Sequence, residues 1–96
     1  MSSTVASGRV VRKRADWMTR TDEVILETMR DEGNMTPQAL DERYDVAVAN
    51  YARDRLSEME RYGLVEKLAR GLYRITDEGH AFLDEELDAS TLDAEE

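Results

Sequence analysis

The side chains with a capacity for directed chemistry in this chain are arginines and carboxylates. His80 is the only histidine and there is no cysteine. Thiolate metal sites and disulfides are therefore excluded, and His80 has no second histidine at metal-ligand spacing. Its neighbour at i+4, Asp84, suits a surface pair on a helix. No carboxylate lies in an apolar pattern that would raise its pKa for acid–base work, and no glycine-rich phosphate loop or nucleophile elbow occurs. No enzyme, cofactor, metal or small-molecule ligand is expected. What remains is hydrogen-bonding chemistry. Asn50, Tyr51, Arg53 and Arg61 fall along one stretch, and Arg70 and Arg74 lie in a second just after it. Asparagine matches the adenine edge and arginine the guanine edge in the major groove, and arginine also holds phosphates. Tyr51 could meet a thymine methyl or a phosphate, or could equally wall a core.

The elements that must position these groups read clearly. A helix begins near Asp45 or Ala47 and runs to about Tyr62, with Asp45 as its expected cap. Val48, Ala52, Leu56 and Met59 fall in one apolar stripe at i, i+4, i+8 and i+11. Asn50, Arg53, Asp54, Ser57 and Arg61 face the other way, with Tyr51 and Arg55 on a flank. Gly63 supplies a left-handed stop. Leu64 to Leu68 and Leu72 to Ile75 are two short strands, joined by a turn at Ala69-Arg70-Gly71. Thr76 or Asp77 caps a last helix that runs to about Leu87. Upstream, Thr19 caps a first helix ending near Asp31, with Ile25, Leu26 and Met29 inward and Gly33-Asn34 as its stop. Met35 has room for only a very short strand. Thr36-Pro37 starts a short second helix to Arg43 or Tyr44. That order predicts an α+β winged helix-turn-helix: a three-helix core, a small antiparallel β-hairpin wing and a C-terminal helix.

The chain has 96 residues and fits one domain. The expected division is a disordered basic arm over 1–15, the winged helix domain over 16–88 and an acidic tail over 89–96. No apolar run approaches a membrane span of about 20 residues, and no secretory signal precedes the first charges, so a cytoplasmic protein is expected.

Charge bears on partners. Acidic residues number 22 against 13 basic ones, for a net charge of −9, and 11 of the 13 are arginine. Carboxylate-rich, lysine-poor surfaces resemble those of proteins from molar-salt cytoplasm, so a halophilic protein is expected, with an ordinary acidic protein as the other reading. In molar salt the Debye length is about 3 Å, and like surface charges hardly repel. The charge is also uneven. Residues 75–96 carry nine acidic and no basic groups, whereas residues 45–74 carry six basic and five acidic. The first 20 residues carry five basic groups, among them Arg9, Arg12, Lys13 and Arg14, which could track phosphates or could be a solvated tail. The long helix, the hairpin and the arm are thus the segments suited to double-stranded DNA.

Several short runs, in their order and spacing, resemble a family. They are Asp16-Trp17-Met18 with Asp22-Glu23, Gly33 to Pro37, Tyr62 to Val65, Arg70 to Thr76 with Glu78-Gly79, and Leu87 to Ser90. Over residues 16–92 the chain resembles small winged-helix regulators of halophilic archaea related to the repressor of the haloarchaeal phage phi-H. The resemblance implies sequence-specific transcriptional regulation, with repression as the expected sense. DNA would be read by a recognition helix over 46–62 and a wing over 64–76. A winged helix serving as a protein-interaction module of transcription machinery is the other reading. Asp54, Glu58 and Glu60 favour it, and fold alone does not separate the two. One recognition helix reads a short site, so a homodimer is expected, through Trp17, Met18, Phe82, Leu83, Leu87 and Leu92. Leu87 and Leu92 could instead fold back on their own subunit, and core packing is the commoner fate of a lone tryptophan.

Overall fold

The structure, a computed structural model, describes residues 12–94. Helix α1 spans Arg20–Glu32, a short π-helical turn spans Ala39–Arg43, and helix α2 spans Ala49–Arg61. Strands β1 (Val65–Ala69) and β2 (Leu72–Ile75) form an antiparallel hairpin, followed by helix α3 (Asp77–Leu83) and a 3-10 turn at Ala89–Thr91. The very short strand expected at Met35 is a single bridge: Met35 and Tyr73 exchange both backbone hydrogen bonds at 2.9 Å. This is the winged helix-turn-helix arrangement, with three helical elements under a small sheet.

Local chemistry sets the element ends. Thr19 and Asp22 form a reciprocal capping box at α1, each side chain bonding the other's backbone N–H. Gly63, at φ 84°, turns the chain out of α2. Gly79 is required by close approach. A Cβ there would lie 2.5 Å from the Leu64 carbonyl oxygen and 2.6 Å from Ile75 Cγ1. Thr76 completes that junction, donating from Oγ1 to the Gly63 carbonyl at 2.6 Å and accepting from Gly79 N–H at 3.1 Å.

The core joins Ile25, Leu26 and Met29 of α1, Leu40, and Ala52, Leu56 and Met59 of α2 to Leu64, Tyr73, Phe82 and Leu83. The expected stripe on α2 holds except at its first member. Val48 is 66% exposed, because α2 starts only at Ala49 and Val48 is its N-cap, in extended conformation. Asp45 does not cap this helix. It has φ 53°, and Asp41 instead accepts the Ala49 N–H at 3.0 Å.

Four expectations near the termini are corrected. Residues 12–15 belong to the fold: Ala15 is in the core, and Lys13 C=O accepts from Ala89 N–H at 2.9 Å. Arg9 lies outside the described residues. The last helix ends at Leu83, four residues early, where Glu85 takes φ 66° and reverses the chain. That reversal lays Leu87, Ala89 and Leu92 on the core, which offsets the lost helical turn. The start of the expected acidic tail is therefore packed on the core, at Ala89 and Leu92. Finally, Asp84 pairs with Arg30 at 2.9 Å and not with His80.

Candidate nucleic-acid interface

Helix α2 and the hairpin, both packed on the core, flank a cleft of about 430 Å³. Pro37 and Gln38 form its floor at the start of the second helical element, Arg53 comes from α2, and Lys67, Arg70 and Tyr73 come from the hairpin. The register explains this lining. Lys67 stands opposite Tyr73 and Glu66 opposite Arg74, so the two pairs occupy opposite faces of the ribbon. Lys67 and Tyr73 face the cleft, and a register irregularity between Lys67 and Ala69 twists the strand toward the turn. Arg70 then sits exposed at the tip beside Gly71, which has φ 73°.

The charges in the cleft are free. Among the described residues, no carboxylate pairs with Arg53, Lys67 or Arg70. Arg53 donates only to Asn50 Oδ1, at 3.1 Å along the helix face. In a chain of net charge −9, three cations left without carboxylate partners around one concavity form a local field suited to an anion.

The expected contact residues separate into two groups. Asn50, Tyr51, Arg53 and Arg70 are exposed on the α2 start and the hairpin tip. Arg61 and Arg74 are engaged elsewhere. Arg61 pairs with Glu58 at 3.1 Å, about 16 Å along the helix from Asn50. Arg74 Nε donates to Glu66 at 2.6 Å, on the ribbon face away from Lys67. A second cleft there is lined by Glu60, Glu66, Asp77 and Glu78 together with Arg74 and Lys67, so carboxylates outnumber cations and disfavour a polyanion. Lys67 is the contact candidate that sequence reasoning missed. Only its pairing with Tyr73 in the hairpin register could have revealed it.

Arginines that would count as basic surface in a composition are partly structural. Arg55 makes a two-pronged pair with Asp22, Nε and Nη2 each 2.7 Å from a carboxylate oxygen, and Nη2 also donates to Trp17 C=O at 3.0 Å. Asp22 is 0% exposed. The hydrogen bond to Asp22 raises the Arg55 pKa above its ordinary value, against the cost of burial. This pair fixes α2 against the start of α1. Arg12 is likewise committed. Burial works against its charge, but hydrogen bonds to Glu27 and Glu23 outweigh that and raise its pKa. Its Nε also donates to Leu83 C=O at 3.0 Å. Arg14 pairs with Glu23 at 2.8 Å. Arg12 and Arg14 are thus clasps on α1, whatever the residues before them do.

The residues expected at a dimer surface make contacts within their own subunit. Met18, Phe82 and Leu83 lie in the core of their own subunit, and Leu87 and Leu92 pack against it. Trp17 stacks on Tyr62, with ring centroids 4.2 Å apart and planes 14° from parallel. Much of the apolar area assigned to a partner is thus packed within the subunit, with Trp17, Leu87 and Leu92 partly buried.

Comparison with known proteins agrees with this architecture. No curated protein matches the chain. The crystal structure of the PhiH1 repressor-like protein from Haloarcula marismortui is similar over 90% of this chain and 99% of that one, with a TM-score of 0.82 and 34% sequence identity. The model of the winged helix-turn-helix phage repressor family matches residues 11–95. The chain belongs to the winged helix-turn-helix phage repressor family.

Proposed function

We propose that this chain is a cytoplasmic, DNA-binding transcriptional repressor that inserts the start of α2 into the major groove and sets its wing tip on the adjacent backbone. The observation that carries the reading is the convergence of Arg53, Lys67 and Arg70, without carboxylate partners among the described residues, on the cleft between α2 and the hairpin. Phosphate contacts of Lys67 and Arg70 fix register without carrying sequence information. Asn50 and Arg53 then present the hydrogen-bonding patterns that adenine and guanine edges accept. The position of these side chains, on the N-terminal half of the second helix of a helix-turn-helix, is where such proteins meet base edges. Family membership and likeness to a repressor-like protein support the same reading.

The test is a titration of fluorescent duplexes by fluorescence anisotropy. Lys67→Ala and Arg70→Ala should weaken all duplexes about equally. Asn50→Ala with Arg53→Ala should flatten the preference between duplexes. Unchanged binding in all of these variants overturns the assignment.

A protein-contact module is the second reading, favoured by Asp54 and Glu60, which are exposed on the same helix. It is separated from the first by the same titration. A module of that kind binds no duplex above the level of a cation-stripped variant.

A further inference from the structure

Large apolar side chains are almost all buried in the described part of the protein. Among the described residues the exposed ones are Val48, Tyr51 and Leu68. Two of the three fall within the first turn of α2. Val48 is 66% exposed and Tyr51, three residues on, is 41% exposed. That spacing places them side by side on one flank of the helix start.

Val48 also stands against local preference. It is the N-cap of α2 and makes no side-chain cap bond. Serine, threonine, aspartate or asparagine would bond the helix there. The first free N–H is served instead by Asp41, from the preceding element. An exposed valine at a position that favours a polar cap, relieved by a second residue, departs from the agreement between local and global preferences expected of a fold. Such departures mark functional positions. The neighbours identify the occupant by charge: Asn50 and Arg53 share the helix start with them, and Arg53 lines the cleft with Lys67 and Arg70, these three cations having no carboxylate partner among the described residues. An apolar surface rimmed by free cations and an amide is complementary to a major-groove edge, where the 5-methyl group of thymine is the apolar element.

We propose that Val48, with Tyr51 beside it, reads thymine methyl groups in the major groove and determines part of the sequence preference. The inference rests on the DNA-binding reading above. Its consequence is a share of affinity that salt does not weaken, since methyl contacts release no counterions.

The test begins with selection of a duplex from a random pool in 2 M KCl. The selected duplex is then remade with deoxyuridine in place of every thymidine, which removes the methyl groups and keeps the base pairing. For each methyl met by Val48 or Tyr51, wild-type affinity should fall about four-fold. Val48→Ala should lose a similar factor on the thymidine duplex and respond much less to the exchange. Val48→Thr keeps the shape and supplies a capping hydroxyl. It should hold or raise thermal stability while losing affinity, which separates reading from folding. Equal affinity of the wild type for both duplexes overturns the proposal, as does full sensitivity to the exchange in Val48→Ala. If selection returns no preferred duplex at all, the DNA-binding reading itself fails, and this inference with it.

Discussion

Replacing Arg55 by methionine should destabilise the protein more than any other single change to a partly exposed residue. The reason is what it leaves behind. Asp22 is 0% exposed and is held by two charge-assisted bonds of 2.7 Å from Arg55 and one of 3.0 Å from the Thr19 N–H. Without Arg55 a buried carboxylate keeps only the backbone donor, and the Trp17 carbonyl also loses its partner. Breaking a buried pair from one side costs about 3–5 kcal/mol. Arg55 retains some solvent contact, with its side chain 16% exposed, which favours the lower end, about 3 kcal/mol. At about 4–8 °C per kcal/mol for a domain of this size, the melting temperature should fall by about 12–24 °C. Asp22→Leu in the same chain removes the orphaned charge, so the double variant should recover much of that loss. Thermal unfolding followed by circular dichroism of the single and double variants measures both. An Arg55→Met melting temperature within about 4 °C of wild type would refute the argument, as would a double variant weaker than the sum of its singles.

Further outcomes follow from the same contacts. Gly79→Ala should cost several kcal/mol, because its Cβ meets the Leu64 carbonyl at 2.5 Å, and chemical denaturation should show a lower midpoint with an unchanged slope. Leu87→Glu should lower stability as a core change, and the free protein should sediment as an 11.0 kDa species; a stable 22 kDa species would show that apolar surface remains for a partner. Thermal stability should rise between 0.2 and 3 M KCl as salt screens the −9 charge, and a flat or falling profile would contradict a halophilic surface. Hydrogen bonds from the Ser90 side chain and backbone hold the Asp88 carboxyl below its ordinary range. Its share of stability is therefore present above the ordinary aspartate pKa and lost as pH falls through the lowered one; in Ser90→Ala, its titration by carbon-13 NMR should move up.

The sequence was most legible where a single residue type is nearly forced. Gly63 takes the left-handed φ expected of it, Gly71 takes a positive φ in the expected turn, and Thr19 and Thr76 both cap helices. Apolar periodicity found the core faces of α1 and α2 because burial acts on every third or fourth residue of a helix. It failed at Val48, since the stripe continues past the point where the helix begins. The break at Glu85 was invisible for a related reason: it depends on Leu87, Ala89 and Leu92 finding the core, a tertiary gain that overrides local helix preference. At the candidate site, position along the chain pointed to Asn50, Arg53 and Arg70 but could not say which basic groups are spent on pairing. Arg55 and Asp22 are 33 residues apart, and Arg12 reaches a carbonyl 71 residues away. The Arg74–Glu66 pair was accessible in principle from hairpin register, and the same register would have moved Lys67 into the cleft.

The most direct test of the DNA-reading account is an NMR map of amide shifts as a selected duplex is added to the isotope-labelled protein in high KCl. The account predicts that shifts concentrate at Gln38, on residues 48–57 and on residues 67–72, and that the acidic face formed by Glu60, Glu66, Asp77 and Glu78 stays unmoved. Shifts centred on that acidic face, or none at saturating duplex, would contradict it.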